Sequence, residues 1–383
     1  MLFLFVHQFF FPFTSLNIEC ISLYIGGKPS PRVVLHVIHN EFPFDNVRLL
    51  EKIFQGLIRL QQTKESWQLD YRLDIGTLQH ISIMAARRGS SNLIFLIWDY
   101  MELFDYGPVS EAMYEDTIVA LVESRWQDSL FLQVLYEMEK KRGFVPQRPL
   151  IRSISRSIRP IIGRIQNILR FIQKRAIHKK DPWKKEYPVV QDVEEEMTPG
   201  EGVTTAMLNC VLSAYAEWGL VDKVLDVFDE FNKLECYPND DTFAFLMEAV
   251  AINITTAIET KTNAENKDDT WTPWISSQLD SVEVIIHTMY QMKCSWTHPM
   301  VYNYIRILCA IGESNKALIF LEDINTQETS TCTNISLDTF TLLATSFALH
   351  DNRHGVNMTK ELSQRHGHSF PSYTSERIER LLK

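Results

Sequence analysis

The side chains with the clearest chemical potential are cations clustered in one segment of an otherwise acidic chain. Twelve Lys and Arg residues and a single acid, Asp181, lie between Arg148 and Lys185, whereas the 383-residue chain has a net charge of -10. Clustered cations can neutralise the phosphates of a nucleic-acid backbone. The candidates for such contacts are Arg152, Arg156, Arg159, Arg164, Arg170, Lys174, Arg175, Lys179, Lys180, Lys184 and Lys185.

The basic segment also has an apolar period that predicts a helix. Isoleucines recur at helical spacing between Ile151 and Ile172, with arginines at the positions between them. Pro160 should break or kink the stretch, because proline lacks an amide hydrogen. Two further interpretations of the segment remain: a basic helix lying on an anionic membrane, or a face that docks on acidic residues of the same chain.

Two asparagines, Asn209 and Asn239, carry both the donors and the acceptors that a base edge can pair with. They belong to a predicted pair of amphipathic helices, with Gly219 ending the first helix and Pro238 ending the second. Alternatively, Asn209 is only an exposed helix residue and Asn239 only a turn residue. We expect both side chains to be exposed, so that alanine at both positions changes base preference and hardly changes stability.

The helix pair recurs along the chain. Leu208 and Phe243 hold equivalent places 35 residues apart, and a fixed period of this length indicates a solenoid of stacked units. A helix pair cannot bury its apolar face alone, and stacking its neighbours closes a continuous core. Weaker copies of the unit are predicted at 75–114, 113–147, 240–299 and 301–340.

The run from Leu208 to Phe243 resembles a pentatricopeptide repeat. The family's pattern is matched by Asn209, Gly219, Phe228, Pro238, Thr242 and Phe243, while Val224 replaces the usual Ala and Asn239 the common Asp. The resemblance implies an all-α fold, an α-solenoid of stacked helix-turn-helix repeats wound into a right-handed superhelix, in one or two arrays.

The resemblance also implies a function. Pentatricopeptide arrays bind single-stranded RNA, about one base per repeat. The implied protein acts on organellar transcripts, in their processing, stability or translation, and resides in the mitochondrion or plastid; the alternative compartment is the cytoplasm. The implied base contacts are Asn209, Asn239, Ala244, Tyr302 and Thr341. Outside Asn209 with Asn239 the pairs fit the family's code poorly, so backbone binding is the better expectation for the other units.

Other classes of function lack their motifs. The sequence contains no phosphate-binding loop, no dinucleotide fingerprint and no nucleophile elbow, and no two of its six cysteines stand in C-x-x-C spacing. We therefore expect no catalysis, no metal, no cofactor and no small-molecule substrate. The expected partner is single-stranded RNA, with other proteins as further partners. A helical-repeat scaffold for protein–protein interaction is the alternative function, and a membrane-associated adaptor is a third hypothesis.

Composition and pattern divide the chain into seven segments. In order, they are an apolar leader for targeting or a disordered extension (1–30), a degenerate helical array (31–158), a basic helix and linker (159–200), the best-matching repeats (201–258), a polar insertion (259–275), further repeats (276–355) and a C-terminal tail (356–383).

Overall fold

The computed structural model describes residues 47–62, 72–124, 128–177, 202–262, 271–326 and 335–382. These residues form helices and connecting turns, without a strand, and the all-α prediction is confirmed. The predicted leader at 1–30 lies outside the described residues, as do Lys179, Lys180, Lys184 and Lys185. The described helices fall into two compact units, divided between Pro146 and Gln147.

The described part of the first unit contains five helices in two layers. Helices α2 and α4 pack on each other in one layer, and α1 packs on α3 in the other. Within the unit α2 also packs on α3, and α4 on α5, so that successive helices alternate between the layers. The helices are α1 (Val47–Gln62), α2 (Ile75–Arg88), α3 (Ser91–Leu103), α4 (Glu111–Glu123) and α5 (Asp128–Tyr136), the last followed by a π-helical turn, Glu137–Lys141.

The second unit contains eleven described helices. Six of them, the A helices, are α6 (Arg148–Ile158), α8 (Thr205–Ala216), α10 (Asp240–Thr262), α12 (His298–Ala310), α14 (Leu337–Leu349) and α16 (Ser372–Leu381). The other five, the B helices, are α7 (Ile162–Ile177), α9 (Val221–Lys233), α11 (Trp271–Gln291), α13 (Ser314–Thr326) and α15 (Arg353–Arg365).

Each A helix of the second unit packs on the next A helix along the chain, from α6 through to α16, and α6, α8, α10, α12 and α14 each pack on the B helix that follows. Between successive pairs, Phe228 of α9 meets Phe243 of α10 with ring centroids 5.8 Å apart, and Phe231 and Phe243 are fully buried. The stacked helix pairs therefore share one continuous apolar core, as the repeat pattern predicts.

Glycine permits the tight turn between the helices of a pair. Gly219 lies between α8 and α9 and Gly312 between α12 and α13, each fourteen residues after its A helix begins, with φ of 65° and 85°. This left-handed conformation is unfavourable for other residues, so the prediction that Gly219 ends the first helix is confirmed.

The basic segment forms a helix pair of its own at the start of the second unit. Helix α6 ends at Ile158 and α7 begins at Ile162, which confirms the break predicted at Pro160. Helix α6 packs on α8, α7 also packs on α8, and α6 packs on α7, as in the other pairs. The sequence places the end of an array at residue 158 and a linker after it, but the structure divides before α6, because the isoleucines of both helices pack within the second unit.

The chain after residue 355 is also part of the array. The sequence predicts a tail at 356–383, whereas the structure forms α15 and α16 there, with Val356, Leu362 and Ile378 buried. Gly355 lets α15 approach α14 closely, since a Cβ on it would lie 2.4 Å from the ring of Phe347. The helices form because their apolar positions pack on α14.

One described helical stretch, Asp240–Thr260 of α10, is long and apolar enough to cross a membrane by length and composition. In the structure it lies between α8 and α12, and its Phe243, Leu246, Val250 and Ile254 are buried. Core helices of this kind satisfy the same criterion because their apolar side chains face other helices.

We expect Gly219→Ala to destabilise the protein more than Gly312→Ala. Both substitutions force alanine into the left-handed region, at a cost of roughly 1–2 kcal/mol. A Cβ at position 219 would also lie 2.9 Å from Cγ2 of Ile252, whereas nothing lies within 4 Å of the equivalent atom at 312. Overpacking adds about 1–3 kcal/mol. Urea unfolding measures the loss of unfolding free energy in each variant. Equal losses in the two variants would contradict this explanation of the turn.

Candidate nucleic-acid interface

The A helices place equivalent positions next to one another across the second unit. Counted from the first residue of each A helix, the fifth positions of α6, α8, α10, α12 and α14 are Arg152, Asn209, Ala244, Tyr302 and Thr341. Four of the five candidate base contacts therefore share one register position with the candidate backbone contact Arg152. Ala244 is fully buried, while Tyr302 and Thr341 are half-buried.

Asn209 is fully buried, so the expectation that it is exposed is wrong. Its Nδ2 donates to Oδ1 of Asn239 at 3.0 Å, and Oγ1 of Thr242 donates to its Oδ1 at 2.8 Å. Asn239 in turn caps α10, because its Oδ1 accepts the backbone N–H of Thr242 at 3.1 Å. The two asparagines thus hold the first turn of α10 against α8, and the side chain of Asn209 is committed to this network.

Two carboxylates on the A helices hold arginines of α6. Nη1 of Arg152 lies 3.0 Å from Oε1 of Glu217, the residue directly after α8, and its Nη2 pairs with Oε2 of Glu248 on α10. Nη1 of Arg159 lies 2.7 Å from the second oxygen of Glu217, and Ser155 donates to the first at 3.0 Å. Arg152 therefore spans three successive A helices, with its guanidinium held on both sides.

Arg148 makes a parallel connection from α6 to α10. Its guanidinium pairs with Asp241 at 3.3 Å and with Glu248 at 3.7 Å. Burial lowers the pKa of Arg148 from its usual value, and the charge of Arg152 lowers it further, while Asp241 and Glu248 counteract both effects. An arginine retains its proton under such conditions, so Arg148 stays a cation.

An aromatic ring lies beneath these guanidinium groups. Arg148 and Arg152 stand over Phe245 at 4.6 Å and 4.9 Å from its ring centroid, and Phe245 is fully buried. Phe243, two residues earlier on the helix, faces the B helix α9. Because two residues turn an α-helix by about 200°, the arginine cluster lies on the side of the A helices that is opposite the B helices. We call this side the A surface.

Arg152 also contacts α8 directly. Nη1 of Arg152 also donates to Oγ of Ser213 at 3.3 Å, and Ser213 lies one helical turn after Asn209 on α8. The intramolecular interpretation of the basic segment is thus observed for Arg148, Arg152 and Arg159.

The remaining cations of α6 and α7 differ in exposure. Arg164 is buried and donates to the backbone oxygen of Ser157 at 3.1 Å. Arg156, Arg170 and Lys174 are exposed, and the described part of the chain contains no ion pair to any of the three. The side chain of Arg175 is not among those that the structure describes. The arginines paired with Glu217, Glu248 and Asp241 thus all precede Pro160, whereas two of the three exposed cations, Arg170 and Lys174, follow it on α7.

Sequence reasoning missed several charged residues of the A surface. Glu217 and Glu248 were not recognised because each is one of many acids on a helix, and nothing local marks the arginine it will meet. Arg306 of α12 lies one turn after Tyr302, and its Nη2 donates to Oγ1 of Thr255 on α10 at 2.8 Å. The spacing of Arg306 from Tyr302 is the one signal that could have identified it.

The stacked A and B helices define a helical-repeat protein. No family model and no curated protein matches the chain. The chain is similar to a solved structure of the pentatricopeptide repeat protein PPR10 in complex with an 18-nt psaJ RNA element, at 11% identity and a TM-score of 0.32, over 88% of this chain and 46% of that one. It is also similar to PPR10 from maize, at 12% identity and a TM-score of 0.25, over 95% and 73%. The chain thus spans about half the length of the RNA-bound PPR10 chain.

We expect Asn209→Ala to lower the free energy of unfolding by about 1–3 kcal/mol, because it removes the two hydrogen bonds that this buried side chain makes to Asn239 and Thr242. Urea unfolding followed by circular dichroism measures the loss. The matched control is Asn232→Ala on α9, whose side chain is exposed and should change stability by under about 0.5 kcal/mol. Similar values for the two variants would show that the Asn209 network contributes little.

Proposed function

We propose that this protein binds single-stranded RNA through its second unit and acts on transcripts without catalysis of its own. The observation that supports the proposal is the charge of the pair α6–α7. From Arg148 to Ile177 this pair has eight cations and no acid, and three of the cations face solvent without an ion pair in the described structure. Such a group attracts a polyanion in a chain whose net charge is otherwise negative.

The exposed cations of α7 lie along one helix face. Gln166, Asn167, Arg170, Phe171 and Lys174 are spaced by three, four or one residues, which keeps them on one side of the helix, and all are exposed. We call this the α7 face. Cations can hold phosphates, amides can pair with bases and a phenyl ring can stack on one. The α7 face therefore offers the chemistry of a backbone contact with little base preference.

The A surface offers the candidate base contacts. Tyr302 is half-buried at the fifth position of α12, and a tyrosine ring can stack on any base. Thr341, at the same position of α14, can donate to or accept from a base edge. Asn209, Asn239 and Ala244 remain candidates by register, but Asn209 reaches a base only if its present hydrogen bonds change. We propose sequence-tolerant binding by the array as a whole.

The organellar part of the proposal rests on the resemblance of residues 208–243 to a pentatricopeptide repeat. A role in processing, stability or translation of mitochondrial or plastid transcripts agrees with a repeat array that carries no catalytic motif. Expression of the full chain with a fluorescent tag at its C-terminus tests the compartment, and a cytoplasmic signal would contradict the organellar proposal.

A protein-binding scaffold is the second candidate function. The observation in its favour is exposed apolar surface on the B helices, where Val284 of α11 and Ile319 of α13 are 64% and 56% exposed. Apolar residues on the surface of a repeat array can contact a protein partner. Affinity for single-stranded RNA that does not depend on salt would favour this candidate over RNA binding.

We expect Arg170→Ala with Lys174→Ala to weaken binding of a fluorescent uridine homopolymer and to reduce its dependence on salt. Each lost phosphate contact should lower the slope of log affinity against log salt by about 0.7, so the double variant should lose about 1.4. Fluorescence anisotropy between about 50 and 200 mM salt measures the slope.

The control for this experiment is Arg365→Ala with Arg377→Ala, which removes two exposed cations from α15 and α16. It should change the slope by much less than the α7 variant. Equal slopes for the two variants would remove α7 from the interface, and a folded wild-type protein without salt-dependent RNA affinity would refute the proposed function.

A further inference from the structure

We propose that Arg148, Arg152 and Arg159 form a binding site for phosphodiester groups of RNA, in which Glu217 and Glu248 occupy the anion positions while the protein is free. The proposal rests on the proposed function, since RNA supplies the phosphates. It adds a second contact surface to the α7 face, and it states what must happen at the A surface when RNA binds.

The three guanidinium groups are already arranged to hold anions. The carboxylate of Glu217 accepts from Arg152 through one oxygen and from Arg159 through the other, at 3.0 and 2.7 Å. Glu248 is shared by Arg148 and Arg152. A phosphate likewise accepts hydrogen bonds from guanidinium N–H groups through two of its oxygens. A phosphodiester has two unesterified oxygens and can replace either carboxylate with the same charge.

The positions of the guanidinium groups do not depend on the carboxylates alone. Phe245 lies under both Arg148 and Arg152, and Oγ of Ser213 accepts from Arg152. Cation–π contacts hold a guanidinium plane against a ring without using its N–H donors. When an anion changes, the arginines can therefore stay near their present places, and little ordering of side chains opposes RNA binding.

The acids can leave the arginines because part of each side chain is exposed to solvent. The side chains of Glu217 and Glu248 keep 11% and 15% of their surface exposed, and those of Arg148 and Arg152 keep 21% and 18%. A displaced carboxylate can thus turn into water, where it is well solvated. The exchange makes one ion pair and breaks another, so the carboxylates act as competitors that weaken RNA binding in the free protein.

The cluster also lies where a strand on the A surface would pass. Arg152 shares the fifth position with Tyr302 and Thr341, and the three belong to helices of one continuous layer. A phosphate held by Arg152 would therefore lie on the same surface as these two candidate base contacts. The site thereby adds a backbone contact to the row of fifth positions.

The test is the double variant Glu217→Gln with Glu248→Gln, which removes both competing charges and keeps the size of the side chains. We expect it to bind a uridine homopolymer at least about fivefold more tightly than the wild type at about 50 mM salt, with a salt slope steeper by about 1.4 for two further phosphate contacts. The added variant Arg152→Ala should abolish most of this gain.

The matched control is Asp222→Asn with Asp229→Asn on α9. These two acids are exposed on a B helix, so the control changes the net charge equally and leaves the A surface intact. Its affinity should stay within about twofold of the wild type, since remote exposed charges are largely screened at this salt. An equal gain in both variants would assign the effect to net charge and overturn the site.

Folding is measured on each variant by thermal unfolding, since the ion pairs also join α6 to α8 and α10. If the double variant is unfolded, Glu248→Gln alone is used, because Glu217 then still pairs with Arg152 and Arg159. A wild type that binds RNA with no gain in a folded glutamine variant overturns the phosphate site and leaves the proposed function standing. A wild type that binds no RNA overturns both.

Discussion

The second unit depends on the burial of each A helix against two neighbours at once. A helix pair has too much apolar surface to be stable alone, and α8 covers it with α10 on one side and α6 on the other. Fully buried Phe243 and Phe231 mark where one pair meets the next. Each A helix packs its apolar side chains on the next A helix in the same way. Equivalent positions of successive A helices therefore lie side by side. The row of fifth positions is a consequence of this packing.

The same arrangement makes the A surface serve both stability and recognition. Side chains on it are close enough to bridge three helices, as Arg152 does through Glu217 and Glu248. Ion pairs of this kind join repeats only if the charges are complementary, and complementary charges cancel the field that would attract a polyanion. Because the helix breaks at Pro160, the later cations of the segment belong to α7, where Arg170 and Lys174 are exposed. The fold thus divides one basic segment between two tasks.

Much of the fold could be predicted, and the errors have physical causes. The pair α8–α9 was predicted because its turn glycine, its apolar stripes and its terminating proline all lie within 35 residues. The pair α6–α7 was divided between a degenerate array ending at residue 158 and a basic helix and linker at 159–200, because residues 178–201 separate the pair from α8 and hide the period. The helices after residue 355 were missed because they are polar, and their few apolar residues form a core only when α14 lies against them. At the site, the register of Asn209, Tyr302 and Thr341 was available from the pattern, while the burial of Asn209 was not.

The sequence by itself determined that the chain forms amphipathic helices of a recurring length, where the best-matching pair turns and ends, and that one segment has a large excess of positive charge. These properties depend on residues a few places apart, through helical periodicity, caps and turn glycines. Tertiary structure alone decided which charges are free. Arg152 meets Glu217 and Glu248, 65 and 96 residues later in the chain, only because stacking brings α6, α8 and α10 into one layer. An ion pair depends on distance in space, and no local pattern records it.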